Sequence, residues 1–238
     1  AGESSAEADE RFAADFERIR SIAELGGARN VYQRSGSAET VAEAIMKESE
    51  RGYDAIFAGA SPAEGDYALG GELLNELVRG ARTPVIIARD VGLAAPSRRV
   101  LAPITGAPFS RLGATVAMLY AHAVNARMTV MYVRESLALS FRGNGGRRPP
   151  REGLRIVDEV RQIAREFGVE IEAREGRGKP ESAILSAAER GGFDLLVMGV
   201  QFRPTEQHLY FGPKVEHILR HARCAVAVVV MPETLPRA

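Results

Sequence analysis

Apolar positions along the second half of the chain fall into two alternating rhythms. Short continuous apolar runs cover Arg99–Pro103, Met128–Val133, Leu195–Met198 and Ala225–Val230. Between them, apolar residues recur at steps of three and four. Leu112, Val116, Leu119 and Tyr120 mark a helix over Ser110–Val124,. Ile156, Val160, Ile163 and Phe167 mark an amphipathic helix over Leu154–Phe167,. Pro180–Arg190 reads as a helix with Pro near its start and Gly191-Gly192 at its end, and Pro213–His221 reads as another,. Residues Glu170–Ala173 alternate, as a strand does. Strands that alternate with helices predict a mostly parallel sheet covered on both faces.

The same rhythm occurs earlier in the chain. Gly52-Tyr53-Asp54-Ala55-Ile56-Phe57-Ala58-Gly59 resembles Gly192-Phe193-Asp194-Leu195-Leu196-Val197-Met198-Gly199, 140 residues on. Leu77–Arg82 resembles Ile218–Arg223 at an offset of 141. A period this long predicts a duplicated domain rather than a solenoid. The expected domains are 1–93 and 94–238. The helix with Phe12, Phe16, Ile19 and Ile22 corresponds to Leu154–Phe167, so the opening strand, helix and second strand of the first copy are expected upstream of Ala1. The final strands, Val85–Ala88 and Val226–Val229, are bare edges unless they meet, and they are expected to pair. Leu137–Gly153 has Gly, Pro and Arg together and is expected to be a loop,.

Composition narrows the class of partner. Lys plus Arg and Asp plus Glu both number 31, which gives no electrostatic case for nucleic acid,. No apolar run is long enough to span a bilayer as a helix. One cysteine, Cys224, excludes an intrachain disulfide and is expected to be a buried, inert thiol,. His217 and His221 have the spacing of a metal pair but no His-Glu-x-x-His context, so capping or surface roles are expected,. Ser35, Ser37, Ser61 and Ser110 lack a nucleophile-elbow context, and Gly143–Gly146 is not a P-loop,. Asp54 and Asp194 are expected to bond backbone at the starts of strands.

One stretch after the strand Leu195–Met198 carries ligand chemistry. Gly199, Phe202, Gly212 and Pro213 stand at the spacing Gly-x2-Gly-x9-Gly-Ser/Thr, and the strand Arg99–Pro103 leads into Pro103-Ile104-Thr105-Gly106-Ala107. On these residues, the chain from about Arg98 to Met231 resembles the universal stress protein family. The resemblance implies an open, mostly parallel five-stranded α/β sheet of the nucleotide α-hydrolase-like kind, with helices on both faces. One copy would be complete and one N-terminally incomplete. It also implies ATP or AMP as ligand. The implied site is Pro103, Ile104, Thr105, Gly106 and Val133 around base and sugar, with Gly199, Val200, Phe202, Arg203, Gly212, Pro213 and Lys214 around phosphate. A helix N-terminus suits an anion because its N–H groups are unpaired and its dipole end is positive. A chain that turns at Gly199 would let backbone approach the ligand.

Three positions depart from the family pattern. Thr105 replaces Asp, Phe202 replaces Gly, and Pro213 replaces Ser/Thr and has no N–H. Arg203 and Lys214 are the cations that could compensate. In the first copy, Gly59 is followed by Ala60-Ser61-Pro62, and Glu72 at the helix start would repel phosphate,. Gly199-Val200-Gln201-Phe202-Arg203-Pro204 and Leu209-Tyr210-Phe211-Gly212 resemble the stress-protein-like tails of bacterial monovalent cation/proton antiporters. That resemblance implies a regulatory role at the cytoplasmic side of the inner membrane and an attached transport domain. The incomplete first copy leads to the expectation of a homodimer, and the lack of a catalytic constellation to that of a non-enzymatic role. The alternatives are a free-standing tandem stress protein that binds ATP or AMP, and a weak ATP-hydrolysing enzyme of the same fold.

Overall fold

The computed structural model describes residues 38–60, 69, 71–89, 97–135, 150–202 and 209–232, with a few positions between 13 and 34. Residues Ala1–Ala38 form one compact unit and Glu39–Ala238 another. In the first unit, Ala13, Phe16, Glu17, Arg20 and Ser21 are helical, within the predicted N-terminal helix. The expected boundary near residue 93 and residues 137–149 of the predicted loop lie outside the described residues.

The second unit runs α1 (Val41–Ser49), β1 (Ile56–Gly59), α2 (Glu72–Gly80), β2 (Val85–Arg89), β3 (Arg99–Ile104), α3 (Pro108–Val124), β4 (Arg127–Arg134), α4 (Pro150–Glu166), β5 (Ile171–Arg177), α5 (Pro180–Arg190), β6 (Leu195–Val200), α6 (Pro213–His221) and β7 (Ala225–Val230). Local chemistry sets the helix starts. Thr40 caps α1 in a reciprocal capping box with Glu43,. Proline opens α3, α5 and α6, where its missing N–H costs nothing. The helix α4 begins at Pro150, so the last residues of the predicted loop are helical instead. Gly153 is the reason it packs there: a Cβ would lie 2.5 Å from the Tyr132 ring on β4. The glycine that reads as a breaker is a contact point.

Among the described residues the sheet has seven strands, not the five expected, in the order β1-β2-β7-β6-β3-β4-β5. Five of them, β3 to β7, come from residues 99–230. The other two join because β2 pairs antiparallel with β7, which satisfies two edges at once,. This is the predicted meeting of Val85–Ala88 with Val226–Val229. All other pairings are parallel. Helices α1, α2, α5 and α6 bury Ala42, Leu77, Ile184 and Leu219 on one face. Helices α3 and α4 bury Ala117, Met118, Ile156 and Val160 on the other.

The antiparallel join has an internal symmetry. Ile87 pairs with Val228, which lies 141 residues further on, and both are fully buried. Residues flanking Ile87 pair with the repeat counterparts of residues on its other side: Val85 meets Val230, and Arg89 meets Val226. A pseudo-two-fold axis therefore passes between Ile87 and Val228. It relates α1-β1-α2-β2 to α5-β6-α6-β7.

The carboxyl edge of the sheet as candidate site

In a parallel sheet with crossover helices, the ligand-binding crevice lies beyond the carboxyl ends of the strands. The turn Thr105–Ala107 follows β3 there. Thr105 donates its backbone N–H to Ser110 Oγ at 2.9 Å, and its own hydroxyl accepts from the Ala107 N–H at 3.5 Å. Ser110 is itself buried, so the turn is held from beneath. Gly106 has φ 79° and lies against α4: a Cβ would meet Ile156 at 2.8 Å. The registers Pro103 with Met131 and Ile104 with Tyr132 set the ends of β3 and β4 side by side. Val133, half-buried near the end of β4, therefore borders the turn. Gly199 and Val200 end β6, paired with Val229 and Val230. The sequence reading thus gathered residues that do share one end of the sheet.

Their roles differ from those the sequence suggested. Gly199 does not begin a turn; it lies within β6. A Cβ on it would stand 1.7 Å from the Phe109 carbonyl oxygen, and one on Gly113 would stand 2.2 Å from Gly199 N. The two glycines let α3 lie directly on β6. Gly199 is thus a helix–strand contact rather than a point of ligand approach. Val200 and Ile104 are core side chains. Phe202 turns inward and is 7% exposed, in one cluster with Leu209 and Phe211. The Arg79 guanidinium sits 5.4 Å from its ring centroid.

Gly212 caps α6 with φ 94° and ψ 158°, a backbone conformation that favours glycine,. Its counterpart Gly71 caps α2 with φ 117° and ψ 136°. Both repeats retain the same helix start. In α6 that start already holds a carboxylate. Glu216, in the first turn, is 7% exposed, and its Oε1 accepts a long 3.4 Å hydrogen bond from the Phe211 N–H. A negative group at a helix N-terminus complements the dipole, as a phosphate would. Sequence reasoning missed Glu216; an acid in the first turn after Gly-Pro was the available signal. Pro213 is exposed. Lys214 pairs with Glu135 just past β4, so the cation proposed for phosphate already has an anion and ties α6 to β4. Arg203 lies outside the described residues.

The discounted groups have structural roles. Asp194 Oδ2 accepts the backbone N–H groups of Arg98 and Arg99 at 2.6 and 3.3 Å. His217 and His221 are exposed and stacked at 4.1 Å, and His221 Nδ1 lies 2.8 Å from the His217 carbonyl. Among the described residues no cluster of His, Cys, Asp or Glu could hold a metal ion. Cys224 is buried, and burial pushes its thiol pKa up. No described helix is long and apolar enough to cross a membrane.

Comparison with known proteins agrees with this architecture. The family model described as the universal stress protein family matches residues 96–230, more than half of the chain. The chain belongs to that family. A universal stress protein of Methanocaldococcus jannaschii is 32% identical over 82 residues, covering 34% of this chain and 48% of that relative. The chain thus spans about half the length of the curated relative it matches. Among solved structures, a universal stress protein from Archaeoglobus fulgidus DSM 4304 has a TM-score of 0.63 at 17% identity, covering 97% of this chain and 83% of the other. A protein of unknown function from Pseudomonas aeruginosa PAO1 has a TM-score of 0.52 at 17% identity, covering 92% and 77%. At such identities these two show the shared fold.

Proposed function

We propose that this chain is a regulatory, non-enzymatic universal-stress-protein module that takes an adenine nucleotide by its adenosine end. The reading further places it as a tandem tail at the cytoplasmic side of a monovalent cation/proton antiporter. The observation that carries the ligand reading is the first turn of α6. Gly212 keeps the anion-type helix start, while buried Glu216 supplies the negative charge there and Phe202 is packed inward beside it. A polyphosphate seated at that turn would face a like charge in a poorly hydrated setting, which is costly. In this reading the turn at Thr105 and the neighbouring Val133 meet the base and ribose.

Calorimetric titration tests this with adenosine, AMP, ATP and a cyclic dinucleotide. Adenosine, AMP and ATP are expected to bind within about threefold of one another, because phosphate adds little. ATP binding a hundredfold tighter than adenosine would show that α6 does seat phosphate. Flat traces for all four would refute the nucleotide reading and favour a docking scaffold. The Glu216→Gln variant is expected to raise ATP affinity relative to adenosine. The antiporter reading rests on the aromatic motif Gly199–Pro204 with Leu209–Gly212. Its test is the sequence of the full gene: a membrane transport domain encoded in frame supports it, and a soluble protein alone refutes it.

A further inference from the structure

The crossover helix α5 starts just after the terminal strand β5 and leads into β6, which stands three places away in the order β6-β3-β4-β5. It therefore passes over β4 and β3 and draws away from β5 along its length. Helix and strand approach closely near the start of α5, where a Cβ on Gly176 would lie against Met131 and 3.5 Å from the Ala183 Cβ. Beyond that contact they part, and an open cleft of about 580 Å³ lies between them.

Cations stand at both ends of this cleft. Arg177 and Lys179 flank Gly178, where the chain turns from β5 into α5; Arg174 and Arg190 line it toward the end of α5. Among the described residues Glu175 alone brings a carboxylate to the lining, and Arg134 and Arg177 already pair with it. Arg174 is held in place: its Nε donates to Glu172 Oε1 at 2.8 Å, and its guanidinium lies 5.7 Å from the centroid of the Phe193 ring. Arg190 Nε donates to the Ser186 carbonyl at 3.3 Å. Among the described residues no carboxylate pairs with Lys179 or Arg190.

The wall that α5 provides has a regular order. Lys179, Ser182, Ser186 and Arg190 follow one another at steps of three and four, so they share one side of the helix,. The two cations are about 16 Å apart along the axis at 1.5 Å per residue. An extended peptide covers that distance in roughly five residues. Between the cations the helix offers only the hydroxyls of Ser182 and Ser186 and the methyl groups of Ala183 and Ala187. The cleft is open, which suits a chain passing through it better than an enclosed small molecule.

We propose that the cleft between α5 and β5 docks an extended acidic segment of a partner protein, with carboxylates roughly five residues apart and small side chains between them. Charge complementarity selects this occupant: four cations face one carboxylate that is already paired, so an acidic chain meets attraction at both ends,. The contact is exposed, and salt weakens it.

The experiment measures fluorescence anisotropy of a labelled, end-capped peptide, Glu-Glu-Ala-Gly-Ser-Ala-Glu-Glu, titrated with the complete chain at low salt. The same peptide with Gln at every Glu is expected to bind at least tenfold more weakly. Lys179→Glu combined with Arg190→Glu is expected to weaken the acidic peptide at least tenfold. Both side chains are exposed, and circular dichroism of the double variant checks that the fold is kept. Arg127→Glu combined with Arg220→Glu makes the same change of net charge elsewhere and is expected to alter binding less than twofold. Ser182→Tyr obstructs the cleft without removing a cation and is expected to weaken binding at least fivefold. Equal affinity for the acidic and Gln peptides would overturn the proposal, as would equal losses in the two charge-reversed pairs or no loss in Ser182→Tyr. Displacement of the peptide by tripolyphosphate at a lower concentration than by unlabelled peptide would assign the cleft to a phosphate-bearing ligand instead. Self-association of the chain that the Lys179→Glu and Arg190→Glu pair abolishes would assign it to a second copy; either result overturns the proposal.

Discussion

Gly199 and Gly59 hold equivalent places in the repeat and have opposite surroundings, so they separate what a glycine permits from what it is used for. Gly199→Ala must push Phe109 away and is expected to destabilise the chain by at least about 2 kcal/mol in urea unfolding. Gly59→Ala is expected to fall between neutral and about 1 kcal/mol stabilising, since the strand loses only backbone freedom. Cys224 gives a second residue-scale prediction. Burial raises its pKa from the ordinary 9.0, so the folded state holds the proton more tightly than the unfolded chain. That contribution is complete below pH 9 and is lost as pH rises above it. Alkylation at pH 8 is therefore expected to be slow until denaturant is added; fast labelling of the native chain would contradict burial of the thiol. At this scale the sequence showed which residues were unusual but not their surroundings. Phe202 was legible as bulk in a glycine's place, while its packing with Leu209 and Phe211 was not. Gly113, a glycine inside an apolar helix pattern, was the overlooked sign of a close helix–strand approach.

Helix boundaries were read well wherever side-chain chemistry punctuates the backbone. Pro180 and Pro213 mark the starts of α5 and α6, and Gly191 follows the end of α5. The start of α4 was misread because Pro, Gly and Arg together resemble a loop, although Pro150 carries the same signal as Pro180. Two substitutions test these local accounts by chemical denaturation. Thr40→Ala removes the reciprocal cap of α1 and is expected to cost about 1 kcal/mol. Gly153→Ala drives a methyl group into Tyr132 and is expected to cost about 1–3 kcal/mol, with a change in tyrosine fluorescence. A silent Gly153→Ala would mean that α4 rides further from β4 than the contact implies.

The whole molecule turns on one strand pair. That β2 and β7 meet was legible, because two apolar final strands had no other cover; that the outcome is one seven-stranded sheet was not, because strand count depends on how repeats share an edge. Ile87 and Val228 lie at the centre of that pair. Ile87→Ala is expected to cost about 2–4 kcal/mol. Combined with Val228→Ala, the two effects are expected to depart from additivity by at least about 0.5 kcal/mol, since the side chains share one contact. Additive losses would mean that the halves are held by their helices instead. The antiparallel join also orients the glycine-capped starts of α2 and α6. Because β2 and β7 run in opposite directions, Gly71 and Gly212 belong to opposite rims, separated by a strand of five residues or roughly 17 Å,. No single small molecule can bridge them. Whatever one rim senses reaches the other through the packing shared by the two halves, at the pair Ile87 and Val228 and where Arg79 lies over the Phe202 ring.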